Sequence, residues 1–346
     1  MSHRNRGGLA LALLASMAAA PAWALDYQVG DVNVDMILAV SAQGATFKDG
    51  PDGKTDSGGS LLGFGRLNFE WVSDTGRVYG LRAESQSGRR RSEALAADEI
   101  YAYFASEYGR FELGRQDGAA DVMSFHAPII ALGQIRGDFS EYAGINASLS
   151  PTDTRDSPKL IYLSPPVRGV RFGVSYAPEF TVNKDAGDPR RRIIQKDAME
   201  AAVQYSQPLA RDWSLGVSAS LTHGNSDPET QRRDLSARSV GLELRREELV
   251  IGAAYVNNGD SNDAAPVNER EWNAGIAWRG EKWGAAFSMA RNESIPLDVS
   301  LFGVGGYYSL NEHIVLRADA VLIDEQPRSR AGGWYSVMLF EIAAEL

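Results

Sequence analysis

Fixed charge, rather than a nucleophile, is the chemistry this sequence offers. There is no Cys, which excludes a disulfide scaffold, a thiol nucleophile and a Cys-ligated metal centre. His3, His126, His223 and His313 fall in separate segments, without the paired spacing of a zinc site. No Gly-x-Ser-x-Gly or local Ser/His arrangement marks a hydrolase, so no catalytic residue and no bound metal is expected. Two acidic stretches, Asp49/Asp52/Asp56 with Gly50 and Gly53, and Asp260/Asn262/Asp263, offer oxygen ligands to Ca²⁺. Neither has EF-hand spacing, and a solvated acidic loop accounts for both. Arg89-Arg90-Arg91 and Arg190-Arg191-Arg192 could grip phosphates or a neighbouring subunit through forked hydrogen bonds; a solvated basic loop explains them equally well.

The more telling charges recur at period two. Arg66, Asn68 and Glu70 alternate with Leu67, Phe69 and Trp71; Gly80, Arg82 and Glu84 alternate with Tyr79, Leu81 and Ala83. On a strand this puts the cations on one face and the apolar groups on the other. Opposed rows of such charge along a narrow passage would orient water and dipolar solutes and repel the wrong ion.

Composition narrows what could hold such rows. The chain has 346 residues, 44% hydrophobic and 23% charged, with 7 Trp, 13 Tyr and 12 Phe. That is too apolar and too aromatic for a disordered chain. A balance of 35 Lys+Arg against 45 Asp+Glu, net −10, argues against nucleic-acid binding. Residues 1–24 read as a secretory signal peptide. Arg4 and Arg6 lead a Leu/Ala-rich stretch from Leu9 to Ala20, and Ala22-Trp23-Ala24 ends in a small-x-small cleavage pattern. Cleavage moves the charge to −12. Beyond Asp26 the longest uncharged stretches are Val122–Ile135 and Trp213–Ser226, 14 residues each, too short for a membrane helix. A membrane home for this exported chain therefore means a closed β-barrel, which satisfies every backbone N–H and C=O in lipid.

Period two runs through the chain. Trp213, Leu215, Val217, Ala219 and Leu221 alternate with Ser and Gly; Trp272, Ala274, Ile276 and Trp278 repeat the pattern, as do Trp283, Ala285, Phe287 and Met289. Sixteen such segments start near Val32, Ser60, Arg77, Asp98, Arg110, Pro158, Gly169, Ala198, Asp212, Ser236, Glu248, Arg270, Lys282, Val299, Glu312 and Gly333. Seven short turns alternate strictly with eight long connections, the latter at 43–59, 87–97, 118–157, 179–197, 224–235, 258–269, 292–298 and 323–332. A sandwich has no reason to put every long connection at one end; an outer-membrane barrel does. Aromatics near strand ends, among them Trp71, Tyr79, Tyr162, Tyr255, Trp272, Trp278, Trp283, Tyr307, Trp334 and Tyr335, suit girdles at the two membrane boundaries.

Two stretches resemble the general diffusion porins of Gram-negative bacteria. Tyr108-Gly109-Arg110-Phe111-Glu112-Leu113-Gly114-Arg115-Gln116 looks like that family's turn and strand before the third loop. Lys159-Leu160-Ile161-Tyr162-Leu163-Ser164-Pro165-Pro166, continuing to Phe172, resembles the hairpin directly after it. One departure is the last residue, Leu346, where many members end in Phe.

The resemblance implies an all-β, 16-stranded antiparallel transmembrane barrel over residues 25–346, its third loop, about 117–157, folded into the lumen. It implies a homotrimer in the outer membrane, among lipid and lipopolysaccharide, passing small hydrophilic solutes and ions passively and needing no cofactor. Carried over from the family, the basic wall of the constriction falls to Arg66, Arg82, Arg155 and Lys159. Asp117, Asp121, Asp138 and Glu141 are the acidic candidates on the loop. The loop's apolar middle (Val122, Met123, Phe125, Ile129, Ile130, Leu132 and Ile135) argues for packing against a wall, and Gly63, Gly65 and Gly80 would remove bulk near the cations. A substrate-selective channel on the same barrel, and an outer-membrane hydrolase, are the alternatives.

Overall fold

The computed structural model describes residues 25–29, 31–49, 54–86, 96–183, 192–210, 212–230, 232–261, 263, 265–295, 297–327 and 332–345. Residues 1–24, expected to be a signal peptide, with Asp52, Asn262, Arg89-Arg90-Arg91 and Arg190-Arg191, lie outside them, as do the side chains of Asp49, Asp56 and Arg192.

Alternating side chains make strands here because each strand can bury one face in lipid and wet the other. The strands are β1 (Leu25–Val29), β2 (Val32–Asp49), β3 (Lys54–Val72), β4 (Val78–Gln86), β5 (Ala96–Ser106), β6 (Gly109–Arg115), β7 (Pro158–Leu163), β8 (Val170–Asn183) and β9 (Arg192–Pro208). They continue as β10 (Trp213–Ser226), β11 (Leu235–Arg246), β12 (Leu249–Gly259), β13 (Glu269–Arg279), β14 (Trp283–Glu293), β15 (Leu297–Ser309), β16 (Ile314–Pro327) and β17 (Gly333–Glu345). Each of β2 to β17 pairs antiparallel with the next, and β17 pairs back onto β2, closing a sixteen-stranded ring. Closure leaves no edge with unpaired backbone groups in lipid. Among the described residues no helix is long and apolar enough to cross a membrane.

Three features depart from the reading above. β1, which the sixteen segments omit, pairs with β2 over Val32–Met36, whereas β17 covers Ala39–Lys48 of β2. The short strand thus continues the line of β17. Second, the connections at 43–59 and 179–197 are mostly strand: β2 and β3 stay paired out to Asp49↔Lys54, and β8 and β9 to Asn183↔Arg192. The apolar alternation stops where lipid ends, but ladder hydrogen bonds need no apolar face and continue. Third, Tyr307 and Tyr335 face inward. Tyr307 occupies the space above Gly284 and donates to the Gly280 carbonyl at 2.7 Å, while Tyr335 is buried.

The other aromatics do ring the outside. At the short-turn end Trp71 stacks on Tyr79 (5.0 Å), Tyr79 meets Phe104 (5.0 Å), and Tyr162 lies between Phe111 (4.8 Å) and Phe172 (5.7 Å). Trp278 and Trp283 add a stacked pair on the same level at 6.3 Å. At the long-loop end Phe302 stacks on Trp334 at 6.3 Å, and Tyr255 stands opposite Trp272. The tight turns carry their expected residues; Arg168 (φ 52°) and Gly169 (φ 85°) take the left-handed positions of a two-residue hairpin.

Candidate functional site

The connection from β6 to β7, residues 116–157, runs along the inward-facing side of the wall. Its outgoing course touches strand after strand. The Phe125 amide donates to Ser218 Oγ on β10 (2.8 Å), the Ala127 amide to Asn273 Oδ1 on β13 (2.8 Å), and Ser288 Oγ on β14 donates to the Pro128 carbonyl (2.6 Å). The Gln134 amide donates to Asp319 Oδ2 on β16 (2.7 Å), and Gln43 on β2 donates to Asp138 (2.5 Å). The returning course binds Asn258 through the Thr152 amide (2.9 Å) and meets Glu200 on β9. Glu200, almost wholly buried, fastens both courses: it accepts from the Ala120 amide (3.0 Å), the Thr154 amide (2.9 Å) and Thr154 Oγ1 (2.7 Å).

Glycines give the loop its bed. A Cβ on Gly173, Gly216, Gly241, Gly252 or Gly303 would collide with Met123, Phe125, the Phe125 carbonyl, the His126 carbonyl or Gln134, in that order; on Gly275 it would meet the Phe287 carbonyl and Ser288 Oγ, with Pro128 in close contact. Gly252, Gly275, Ser288 and Gly303 form one cross-strand row. Further round, the inner wall turns apolar. Leu132, Ile135 and Phe139 of the loop bury against Leu301, Val321, Ile323, Val337 and Leu339 of β15 to β17. Each such side chain contributes about 1.5–3 kcal/mol when fully buried. Of the loop's apolar residues Met123 is also buried, whereas Val122 is exposed.

The loop lies against β7 to β17 and β2 and meets β3 at Gly58; among the described residues the inward charges of Arg66, Arg82 and Arg110 pair with carboxylates on their own arc. Arg66 Nε reaches Glu84 Oε1 at 2.6 Å, and Arg82 Nε reaches the same oxygen at 2.8 Å. Arg82 also lies 3.8 Å from Glu99. Arg110 pairs with Glu112, and its guanidinium lies 3.9 Å from the centre of the Tyr103 ring. The Tyr103 hydroxyl donates to Glu70 Oε2 (2.9 Å) and Asn68 Oδ1 (3.2 Å). The three guanidiniums stay about one-third exposed (31%, 30% and 33%), and the carboxylates of Glu84 and Glu112 are nearly covered. A passing solute therefore meets a cationic surface backed by buried negative charge. Gly63 and Gly65 do not widen this arc, because they sit on the outer face with Leu61 and Leu67. The space above Gly80 is filled by the Tyr103 ring.

The other sequence candidates separate. Lys159 is buried, its Nζ donating to the Arg155 carbonyl beneath the loop's root. Arg155 (φ 43°) is exposed and lines a cleft with Arg115, Asp156 and Glu179. Asp138 is buried against Gln43 on β2, which stands opposite Ser60 of β3, six residues along that strand from Arg66, and Glu141 is half-buried in the one-turn helix Ser140–Ala143. Asp117 and Asp121 do come together, joined by Asp153; their carboxylate oxygens lie within 4.8 Å of one another. Burial, reinforced by Asp121 and Asp156, pushes Asp117 up to about 6. Burial with Asp121, Glu200 and Asp117 pushes Asp153 up to about 7. Sequence reasoning missed Arg110, Glu112, Glu200, Asp153 and the glycine bed. Arg110 was hidden by its place beside a turn, although it alternates with Phe111 as Arg66 does with Leu67.

A sequence profile of Gram-negative porins matches residues 8–325. No curated protein matches the sequence. Among solved structures, OmpF of Salmonella typhi in complex with daunomycin superposes with a TM-score of 0.68 at 14% identity, over 93% of this chain and 100% of that one. The outer membrane channel DcaP of Acinetobacter baumannii gives 0.64 at 13% identity, covering 92% and 99%. An anion-selective porin from Comamonas acidovorans gives 0.64 at 13% identity, covering 91% and 100%.

Proposed function

The chain belongs to the Gram-negative porin family, and from that premise we propose that solutes cross it along the arc of β3, β4 and β6, past Arg66, Arg82 and Arg110. The protein is an outer-membrane diffusion channel rather than an enzyme. The observation that supports the path is the loop's position: residues 116–157 lie against β7 to β17 and β2 and meet β3 at Gly58, while among the described residues the inward charges of Arg66, Arg82 and Arg110 pair with carboxylates on their own arc. In this reading Arg66 and Arg82 belong to the narrow passage, joined by Arg110. Lys159 and Asp138 hold the loop, and Asp117 and Asp121 set the charge of its root. Because each guanidinium has a carboxylate beside it, the wall orients dipolar solutes without a strong net field, as suits general diffusion. A substrate-selective channel on the same barrel is the alternative. Purified protein in planar bilayers should give ohmic, stepwise conductance without saturation by sugars, phosphate or dicarboxylates. Block by one solute class at low concentration would replace general diffusion with selective transport, and absence of conductance would remove the pore.

Export by the signal peptide at 1–24 and assembly as a homotrimer complete the proposal. The outer face of β2 and β3 suits contact between copies, because a Cβ on Gly44 or Gly63 would meet no atom within 4 Å. Small residues let barrel walls approach closely. Lipopolysaccharide is the expected neighbour elsewhere on the rim.

A further inference from the structure

A cavity of about 360 Å³ lies between the loop and the inner wall, at the long-loop end of β13, β14 and β15. One side is acidic, with Glu269 and Glu271 joined by Asn292; the other is apolar, with Ile145, Leu297, Val299 and Leu301. We propose that this cavity binds an alkylammonium, its charged end against Glu269 and Glu271 and its apolar body along Val299 and Leu301. The inference rests on how the loop docks and not on conduction past Arg66, Arg82 and Arg110.

Parity and register set the two sides next to each other. Glu269, Glu271 and Asn273 share the inward face of β13, and Asn273 already holds the loop through the Ala127 amide. Glu271 stands opposite Asn292 on β14, and Asn292 opposite Val299 on β15; the next row towards the short turns is Asn273, Ala290 and Leu301. Ile145 and Leu297 pack on the loop's own apolar cluster, so the greasy side is continuous with the docked loop. Gly144 and Asn146 at one end are exposed, whereas Glu271, Ala290 and Leu301 are each 2% exposed. The cavity thus has a wet mouth and a dry floor, with a carboxylate on the floor.

That carboxylate is incompletely satisfied. Glu269 Oε1 accepts from Asn292 Nδ2 (3.0 Å), Asn258 Nδ2 (3.1 Å) and Ser148 Oγ (3.3 Å), and Asn292 Nδ2 also reaches Glu271 Oε2 (3.3 Å). Glu271 Oε1 is covered and has no hydrogen-bond partner. All of these donors are neutral. Arg136, a cation within electrostatic reach, is exposed and donates to the Ala147 carbonyl at 3.3 Å. A buried acceptor left without a donor is costly, and a charged donor that reaches it is held strongly. A metal ion is the poorer match: Ca²⁺ takes about six to eight oxygens, whereas Asn292 turns N–H donors towards both carboxylates and the facing side is apolar. An ammonium brings N–H donors of its own, and the volume suits a small organic molecule.

The test uses the full chain, purified in detergent. Protection of residues 140–148 from hydrogen exchange is followed at constant ionic strength as n-butylammonium, ammonium, n-butanol or Ca²⁺ is titrated in. The expected result is saturable protection by n-butylammonium, with the other three weaker by about tenfold or more, because each complements only one side of the cavity. Glu271→Gln should weaken n-butylammonium by about the same factor, since its amide turns a donor towards the ammonium. Should that variant not fold, Glu269→Gln, which keeps an acceptor for the same donors, carries the same expectation. Equal protection by n-butanol makes this an apolar hollow, and equal protection by ammonium or Ca²⁺ makes it a simple ion site; either overturns the proposal. So does binding unchanged in the variant, or no protection by n-butylammonium in wild type. A chain that binds n-butylammonium without conducting would fail the pore reading and leave this one standing, and a conducting chain that does not bind it fails this inference alone.

Discussion

Glu84 sits between two guanidiniums, and that placement gives the wall its sign. Replacing Arg66 and Arg82 by Gln strips both cations from a carboxylate that is nearly covered. One unit charge about 4 Å from a passing ion in water amounts to about 1 kcal/mol, so the double variant should move the permeability ratio several-fold towards cations. Glu84→Gln should move it the other way. Reversal potentials in a salt gradient read both; no movement in either removes these residues from the passage. A second residue-scale expectation concerns Asp117 and Asp153, whose carboxyls rise to about 6 and 7 because burial and neighbouring charge disfavour the ionised form. A carboxyl held above its ordinary value of about 4 binds its proton more tightly when the loop is docked. That contribution is full below about pH 4 and is lost as pH rises through about 6 to 7. The segment 117–157 should thus be better protected from hydrogen exchange at pH 5 than at pH 8, after correction for intrinsic rates. Asp153→Asn should flatten the difference, and equal protection in wild type would contradict the burial argument.

At the scale of the element, the loop is held by a bed rather than by its own folding. Its two helices are one turn each, Ala119–Val122 and Ser140–Ala143, too short to stand alone. Gly252→Val drives a side chain into the His126 carbonyl of the loop, and overpacking of this kind costs about 1–3 kcal/mol. Conductance should change while the barrel persists in circular dichroism. Glu200→Ala leaves three donors from both courses without their acceptor, about 1–3 kcal/mol for each buried group left unsatisfied. It should loosen the root of the loop and make current noisier. Unaltered single-channel traces in both variants would mean that the loop does not define the passage. The bed was partly legible: β16 and β17 run Ala320-Val321-Leu322-Ile323 and Val337-Met338-Leu339-Phe340, apolar on both faces. A doubly apolar strand in a barrel means that something covers its inner side.

For the whole molecule, closure is the dominant fact. A ring whose every strand has two partners unfolds only by opening, so the protein should resist SDS until heated and then shift its electrophoretic mobility. If β2 and β3 form the contact between copies, Gly63→Trp should lower the temperature at which the oligomer separates, leaving the monomeric barrel intact. An unchanged oligomer would place that contact elsewhere on the wall.

Period two, strand number and the alternation of short and long connections are local properties, because a side chain's face depends only on its parity along the strand. They foretold the ring, its girdles and the inward direction of Arg66 and Arg82. The path of residues 116–157, the burial of Lys159 and the pairing of Arg66 and Arg82 through Glu84 were decided only by tertiary structure. So was the meeting of Asp117 with Asp153. Each joins residues distant in sequence, whose juxtaposition depends on how far the ring curves and where a long loop finds room. Parity says which way a side chain points; only the closed circle fixes what stands opposite.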